Sequence, residues 1–233
     1  MNKVLRREVK FLLSQTEFYT LKGRLDALLH TDLHNGNLGY CVRSLYFDTL
    51  YNKDYFEKED GVELRRKIRL RCYNPNDDFA MLEIKQKQGA QQLKRSMRVS
   101  KEVATKLSKG NYEPLLKIDG KNESFANECY AIMNSQCYLP RVIVEYQRIA
   151  YVAKENKIRI TLDHNVRGNE NDLNLFSPNL ILNPVIDLSA VILEVKYNNF
   201  LLDYIRKLIN PTNKSELSVS KYYIARQCLS KIS

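Results

Sequence analysis

Between Glu63 and Tyr73 the chain reads ELRRKIRLRCY, and this alternation constrains its fold more than any other feature. Glu63, Arg65, Lys67, Arg69, Arg71 and Tyr73 fall on one side of an extended backbone, and Leu64, Ile68, Leu70 and Cys72 on the other. A period of two predicts a strand, here apolar on one face and densely cationic on the other. The pattern returns along the chain. Glu83, Lys85 and Lys87 oppose Leu82 and Ile84, and beyond Gly89 the series Gln92, Lys94, Ser96 and Arg98 continues it. Lys157, Arg159, Thr161 and Asp163 oppose Ile158, Ile160 and Leu162, while Glu194 and Lys196 share a face in Val191 to Tyr197. From Leu5 to Leu13, Glu8 and Lys10 stand against Val9 and Phe11. Tyr40 to Asp48 and Val142 to Tyr151 complete the predicted strands.

Helices are predicted between these strands. Ser14 and Glu17 make a capping box ahead of Phe18, Leu21, Leu25 and Leu28, which predicts a helix over Gln15 to His30. Shorter helices are expected at Ser100 to Leu107, Glu123 to Cys137, Phe200 to Leu208 and, after Pro211, Glu216 to Leu229. Residues 164 to 188, with Pro178 and Pro184, read as loop. The order predicts an α+β fold with a large antiparallel sheet, and 233 residues need no division beyond one domain, 1–233.

One cationic strand face could simply be wet. Repeated on most strands of a chain with net charge +10, it requires an anionic partner. An open basic platform would suit nucleic acid, but aromatic stacking positions, zinc-finger spacing and a helix-turn-helix pattern are absent, so no nucleic acid is expected. Closing the sheet into an antiparallel barrel flanked by helices turns the polar faces inward. Such an interior suits a polyanion, because phosphate oxygens accept bidentate bonds from arginine and carboxylates offset repulsion between cations. Three Glu-x-Lys pairs, Glu8/Lys10, Glu83/Lys85 and Glu194/Lys196, supply those carboxylates. The five cysteines form no CxxC pair and read as reduced core residues of a cytoplasmic protein. With no apolar run of membrane-spanning length, no direct membrane insertion is expected.

Eight segments in this order resemble the catalytic domain of vacuolar-transporter-chaperone polyphosphate polymerases and their stand-alone bacterial relatives, within the triphosphate tunnel metalloenzymes. They are RREVKF (Arg6 to Phe11), VRSLYFDT (Val42 to Thr49), RRKIRLRCY (Arg65 to Tyr73), LEIKQK (Leu82 to Lys87), VEYQRIAY (Val144 to Tyr151), IRITLD (Ile158 to Asp163), ILEVKY (Ile192 to Tyr197) and SVSKY (Ser218 to Tyr222). The resemblance implies a tunnel that holds triphosphate or growing polyphosphate, and a Mn²⁺- or Mg²⁺-dependent transfer of phosphoryl groups from ATP with release of ADP. It implies catalytic roles for Lys10, Arg69, Arg71, Lys85, Arg148 and Arg159. Phosphate contacts are implied for Lys67, Lys94, Tyr146, Lys196, Ser220 and Lys221, with Lys67 and Arg71 as alternatives at one position. Glu194 resembles the principal metal carboxylate, with Glu8 and Glu83 as helpers or charge balancers.

Two features depart from the wider pattern. Arg6-Arg7-Glu8-Val9-Lys10 carries arginine where the superfamily's opening strand has its first metal carboxylate, which favours the polymerase branch. Ser218 stands where a basic residue usually precedes the Ser-Lys pair. Inorganic triphosphatase and a non-catalytic polyphosphate or nucleotide sensor are the alternative readings. Product translocation would call for a membrane partner protein.

Overall fold

The computed structural model describes residues 6–36, 39–89, 91–209 and 216–230; Leu5 and Pro211 lie outside the described residues. In chain order the elements are β1 (Arg6–Leu13), α1 (Gln15–Leu28), β2 (His30–Thr31), β3 (Tyr40–Thr49), α2 (Lys53–Glu59), β4 (Leu64–Cys72), β5 (Phe79–Gln88) and β6 (Gln91–Ser100). Then follow α3 (Lys101–Leu107), α4 (Glu123–Ser135), β7 (Tyr138–Ala153), β8 (Ile158–Asn169), β9 (Asn183–Pro184), β10 (Val191–Asn198), α5 (Asp203–Ile209) and α6 (Lys221–Leu229). Hydrogen bonding orders the sheet β1-β10-β8-β7-β3-β4-β5-β6, with β2 on β7 and β9 on β8. The architecture is α+β with a large antiparallel sheet and flanking helices.

Hydrogen bonds do not close this sheet, so the expected closed barrel is corrected in that respect: β1 and β6 end the ladder among the described residues. The outer edge of β1 is engaged locally instead. The Leu217 N–H donates to the Lys10 carbonyl at 2.8 Å, and the Lys10 ammonium donates to the Val219 carbonyl at 3.1 Å. That also explains a second correction. Residues 216–220 are not helical, because β1 claims their backbone, and α6 begins only at Lys221.

The chain packs as two compact units. The first comprises Met1–Cys41, Tyr146–Val166 and Pro184–Ser220; the second comprises Val42–Glu145, Arg167–Asn183 and Lys221–Ser233. In the first, α1 and α5 cover one face of β1, β10 and β8. Phe18, Leu21, Leu25, Ile205 and Leu208 pack there against Leu13, Ile158, Ile160, Leu162, Leu193 and Val195. The predicted capping box starts α1: the Ser14 and Glu17 side chains each bond the other's backbone N–H, at 3.4 and 2.7 Å. In the second unit Leu45, Phe47, Ile68, Leu70, Leu82, Ile84, Met97 and Val99 form one apolar face against α3 and α4, which contribute Leu107, Ala126, Cys129 and Met133. Burying each such aliphatic side chain contributes about 1.5–3 kcal/mol. The residues between them in sequence therefore present the polar face.

Other elements differ from the sequence reading. β7 starts at Tyr138 and β8 runs on to Asn169, into a segment expected to be loop. Pairing with β9 and the bond from the Val185 N–H to the Val166 carbonyl hold that polar stretch extended. The sequence reading missed α2. Of the five cysteines expected in the core, Cys72 and Cys129 are buried, Cys41 and Cys228 are half-buried, and Cys137 is exposed. Among the described residues no helix is long and apolar enough to cross a membrane.

Candidate phosphate-binding site

In the first unit the register writes out the polar face row by row. Lys10 lies opposite Glu194, which lies opposite Thr161; Glu8 lies opposite Lys196, which lies opposite Arg159. Directly paired residues share a face, so β1, β10 and β8 present these six side chains together. Charges alternate across the first two strands. The Lys10 ammonium is 2.9 Å from Glu8 and 3.5 Å from Glu194, while Lys196 contacts Glu194 and lies 3.8 Å from Glu8. Burial pulls the Lys10 pKa down, but Glu194 and Glu8 outweigh it and hold the ammonium above the ordinary lysine value.

The same face carries two anchored arginines. Arg148 donates two bonds to Asp163, at 2.6 and 2.8 Å, and its guanidinium lies over the Tyr146 ring at 5.2 Å. Gly39 lets the chain approach this arginine. Its φ is +86°, and a side chain there would meet the Arg148 carbonyl oxygen at 2.3 Å. Arg159 is held by Asp32 and by the Tyr40 hydroxyl at 3.1 Å. Partial burial raises the Asp32 pKa, but bonds from His34 and Arg159 outweigh that and bring it to about 2.

The second unit has its own cationic face. Arg69 lies opposite Glu83, and Lys67, Lys85 and Lys94 line up directly across β4, β5 and β6. Glu83, 3% exposed, is the counter-charge: Arg69 reaches it at 2.6 Å, Lys94 at 2.5 Å and Arg71 at 4.0 Å. Burial would raise its pKa, yet Arg69, Arg71 and Lys94 overcome this and hold it at about 2. Arg69 also donates to the Tyr46 hydroxyl at 3.1 Å and lies over the Tyr46 ring. Tyr46 in turn stacks on Tyr222, whose hydroxyl donates to the buried Asp48. Asp48 accepts the Asp54 and Tyr55 N–H groups, each at 2.9 Å, so one carboxylate ties the start of α6 to α2.

The structure thus sorts the expected residues. Lys10, Arg148, Arg159, Lys196 and Tyr146 gather on the first unit's face with Glu8 and Glu194. Arg69, Arg71, Lys67, Lys85 and Lys94 gather on the second's with Glu83. Glu83, expected as a metal helper or charge balancer, meets Arg69, Arg71 and Lys94. Ser220 is buried in the irregular segment before α6 rather than inside a helix, and Lys221 is the first residue of α6. Sequence reasoning assigned no role to Asp32, Tyr40 or Tyr222. Their hydrogen bonds to Arg159 and Asp48 span 119 to 174 residues of separation, so no local periodicity marks them.

The VTC domain family matches residues 5–230. The chain belongs to the VTC domain family. No curated protein matches it in sequence. Among solved structures, one of a "putative adenylate cyclase" from Bacillus halodurans is 16% identical, covers 93% of this chain and 95% of its own, and superposes with a TM-score of 0.52. A protein from Pyrococcus horikoshii OT3 is 11% identical over 95% of this chain and 98% of its own, with a TM-score of 0.49. The first supports the fold of this VTC domain.

Proposed function

We propose that residues 1–233 act as one cytoplasmic VTC-type domain that transfers the terminal phosphoryl group of ATP to a growing inorganic polyphosphate chain and releases ADP. The observation that carries this reading is the pair of polar faces. On each, a row of cations is held in place by buried carboxylates on a rigid sheet, an arrangement that suits a multivalent anion better than a wet surface.

On the first unit's face Lys10, Arg148 and Arg159, and on the second unit's own face Arg69, Arg71 and Lys85, neutralise phosphate oxygens. Lys67, Lys94, Tyr146, Lys196, Ser220 and Lys221 add phosphate contacts. A terminal oxygen of the acceptor chain, already ionised, attacks the γ-phosphorus; the bond to the β-phosphate oxygen breaks and ADP departs. Positioning and charge neutralisation supply most of the acceleration in such a transfer.

A divalent cation fits the first face. Among the described residues no group of three or more His, Cys, Asp or Glu side chains is placed to hold a metal, but Mg²⁺ commonly uses one or two carboxylates with substrate phosphates completing its shell. Glu194 and Glu8 offer two hard oxygen donors, and the buried Thr161 hydroxyl opposite Glu194 has no hydrogen-bond partner among the described residues. Mn²⁺ or Mg²⁺ bound there would act as a Lewis acid toward phosphate oxygens.

Incubation with ATP and Mn²⁺ tests the reading. Phosphate polymer with equimolar ADP is the expected result. Orthophosphate without polymer would replace the polymerase with a triphosphatase, and binding without turnover would leave a sensor.

A further inference from the structure

Thr161 sits at the centre of the first unit's polar face, and among the described residues its hydroxyl has nothing to bond. The residue is 1% exposed, and Oγ1 finds no hydrogen-bond partner among the described residues. Its directly opposed neighbour, Glu194, is engaged by Lys10 and Lys196. Two residues to either side on the same face of β8, Arg159 and Asp163 are committed to Asp32 with Tyr40 and to Arg148 respectively. A buried hydroxyl without a partner is destabilising, and valine would fill the same volume without that cost. Folding alone therefore gives no reason for an oxygen at this position. A ligand does, because a hydroxyl can donate to a phosphate oxygen, an acceptor that the surrounding cations do not offer.

We infer that Thr161 is a direct substrate contact, donating its hydroxyl proton to a phosphate oxygen of the chain held beside Lys10 and Arg159. This rests on the phosphate-handling reading above and adds to it a neutral donor in a row of charges. The donor carries no net charge, so it adds a directional bond without adding to repulsion among Lys10, Lys196 and Arg159. It fixes the position of one phosphate along β8 where the surrounding cations alone would let the chain slide.

The test compares wild type, Thr161→Val and Thr161→Ser by calorimetric titration with inorganic triphosphate, without metal and with Mn²⁺, and by ligand-free thermal melting. Thr161→Val is expected to melt no lower than wild type and to bind triphosphate about tenfold more weakly, the scale of one hydrogen bond to a charged acceptor. Thr161→Ser is expected to recover most of that loss. Unchanged affinity in the valine variant overturns the inference. So does a lowered melting temperature with unchanged affinity, which marks a structural role such as a bound water. Should the valine variant fail to fold, Thr161→Ala is compared with Thr161→Ser, and equal affinities overturn the inference. A wild-type chain that binds no triphosphate overturns the phosphate-handling reading, and this inference with it; wild-type binding matched by the valine variant overturns this inference alone.

Discussion

Arg148 and Asp163 are joined by two parallel charge-assisted hydrogen bonds, 2.6 and 2.8 Å long, with Asp163 fully buried. The pair fixes the guanidinium plane over Tyr146. Against the pull of burial, Asp163, Tyr146 and Glu194 hold Arg148 charged well above the ordinary arginine range. Removing the carboxylate leaves a buried cation without its partner. Asp163→Asn is therefore expected to lose about 3–5 kcal/mol of stability in chemical denaturation. A loss under 1 kcal/mol would show that Arg148 does not depend on this anchor.

Glu83 sets an acid limit on the second unit. Its folded pKa, about 2, lies below the ordinary glutamate value of 4.5, so its stabilising contribution is present above pH 4.5 and disappears as pH falls toward 2. The difference corresponds to roughly 3 kcal/mol. Wild type should lose stability steeply over that window, and Glu83→Gln should be less stable at neutral pH with a shallower acid limb. Denaturation midpoints from pH 2 to 7 check both.

Asp54 works in the opposite sense. Burial first, then the neighbouring Asp48, raise its pKa from 3.8 to about 8, and the Tyr138 hydroxyl lies 3.0 Å from both carboxyl oxygens. A raised folded pKa stabilises the fold fully below pH 3.8, and that contribution is lost as pH rises through 8. Asp54→Asn, neutral at every pH, should abolish this alkaline decline. Melting curves between pH 5 and pH 9 that stay parallel for wild type and variant would contradict it.

Tyr222 couples α6 to Asp48, and Lys221 is its chain neighbour. Tyr222→Phe keeps the stack on Tyr46 but removes the hydroxyl, and is expected to cost about 1.5–3 kcal/mol, the scale for a bond to a charged group. Hydrogen exchange should rise in α6 before it rises in β4 or β5. Uniform change across the second unit would argue against a local latch.

The sheet was legible because β4, β5, β8 and β10 must each bury one face, and residues two apart therefore reveal the other. Arg69, Lys85, Arg159 and Glu194 could be placed on polar faces from sequence for that reason. The counter-ions were less accessible. Asp32 reaches Arg159 across 127 residues from a loop, and Glu83 meets Arg69 and Arg71 of β4 and Lys94 of β6. Neither follows from periodicity. Helix α2 escaped notice because its anchor is the carboxylate of Asp48 on a preceding strand, and α6 began late because Leu217 and Val219 bond to Lys10.

The central claim is that these charged strand faces exist to hold phosphate. Lys67, Lys85 and Lys94 stand in direct register across three strands, an arrangement of like charges that disfavours the empty sheet and favours a bound anion. Calorimetric titration of wild type and Lys85→Gln with inorganic triphosphate tests it most directly. Wild type should bind with an affinity that falls as salt rises, and Lys85→Gln should bind at least about tenfold more weakly, the loss of a hydrogen bond to a charged group. No binding by wild type, or equal binding by both proteins at every salt concentration, would contradict the account.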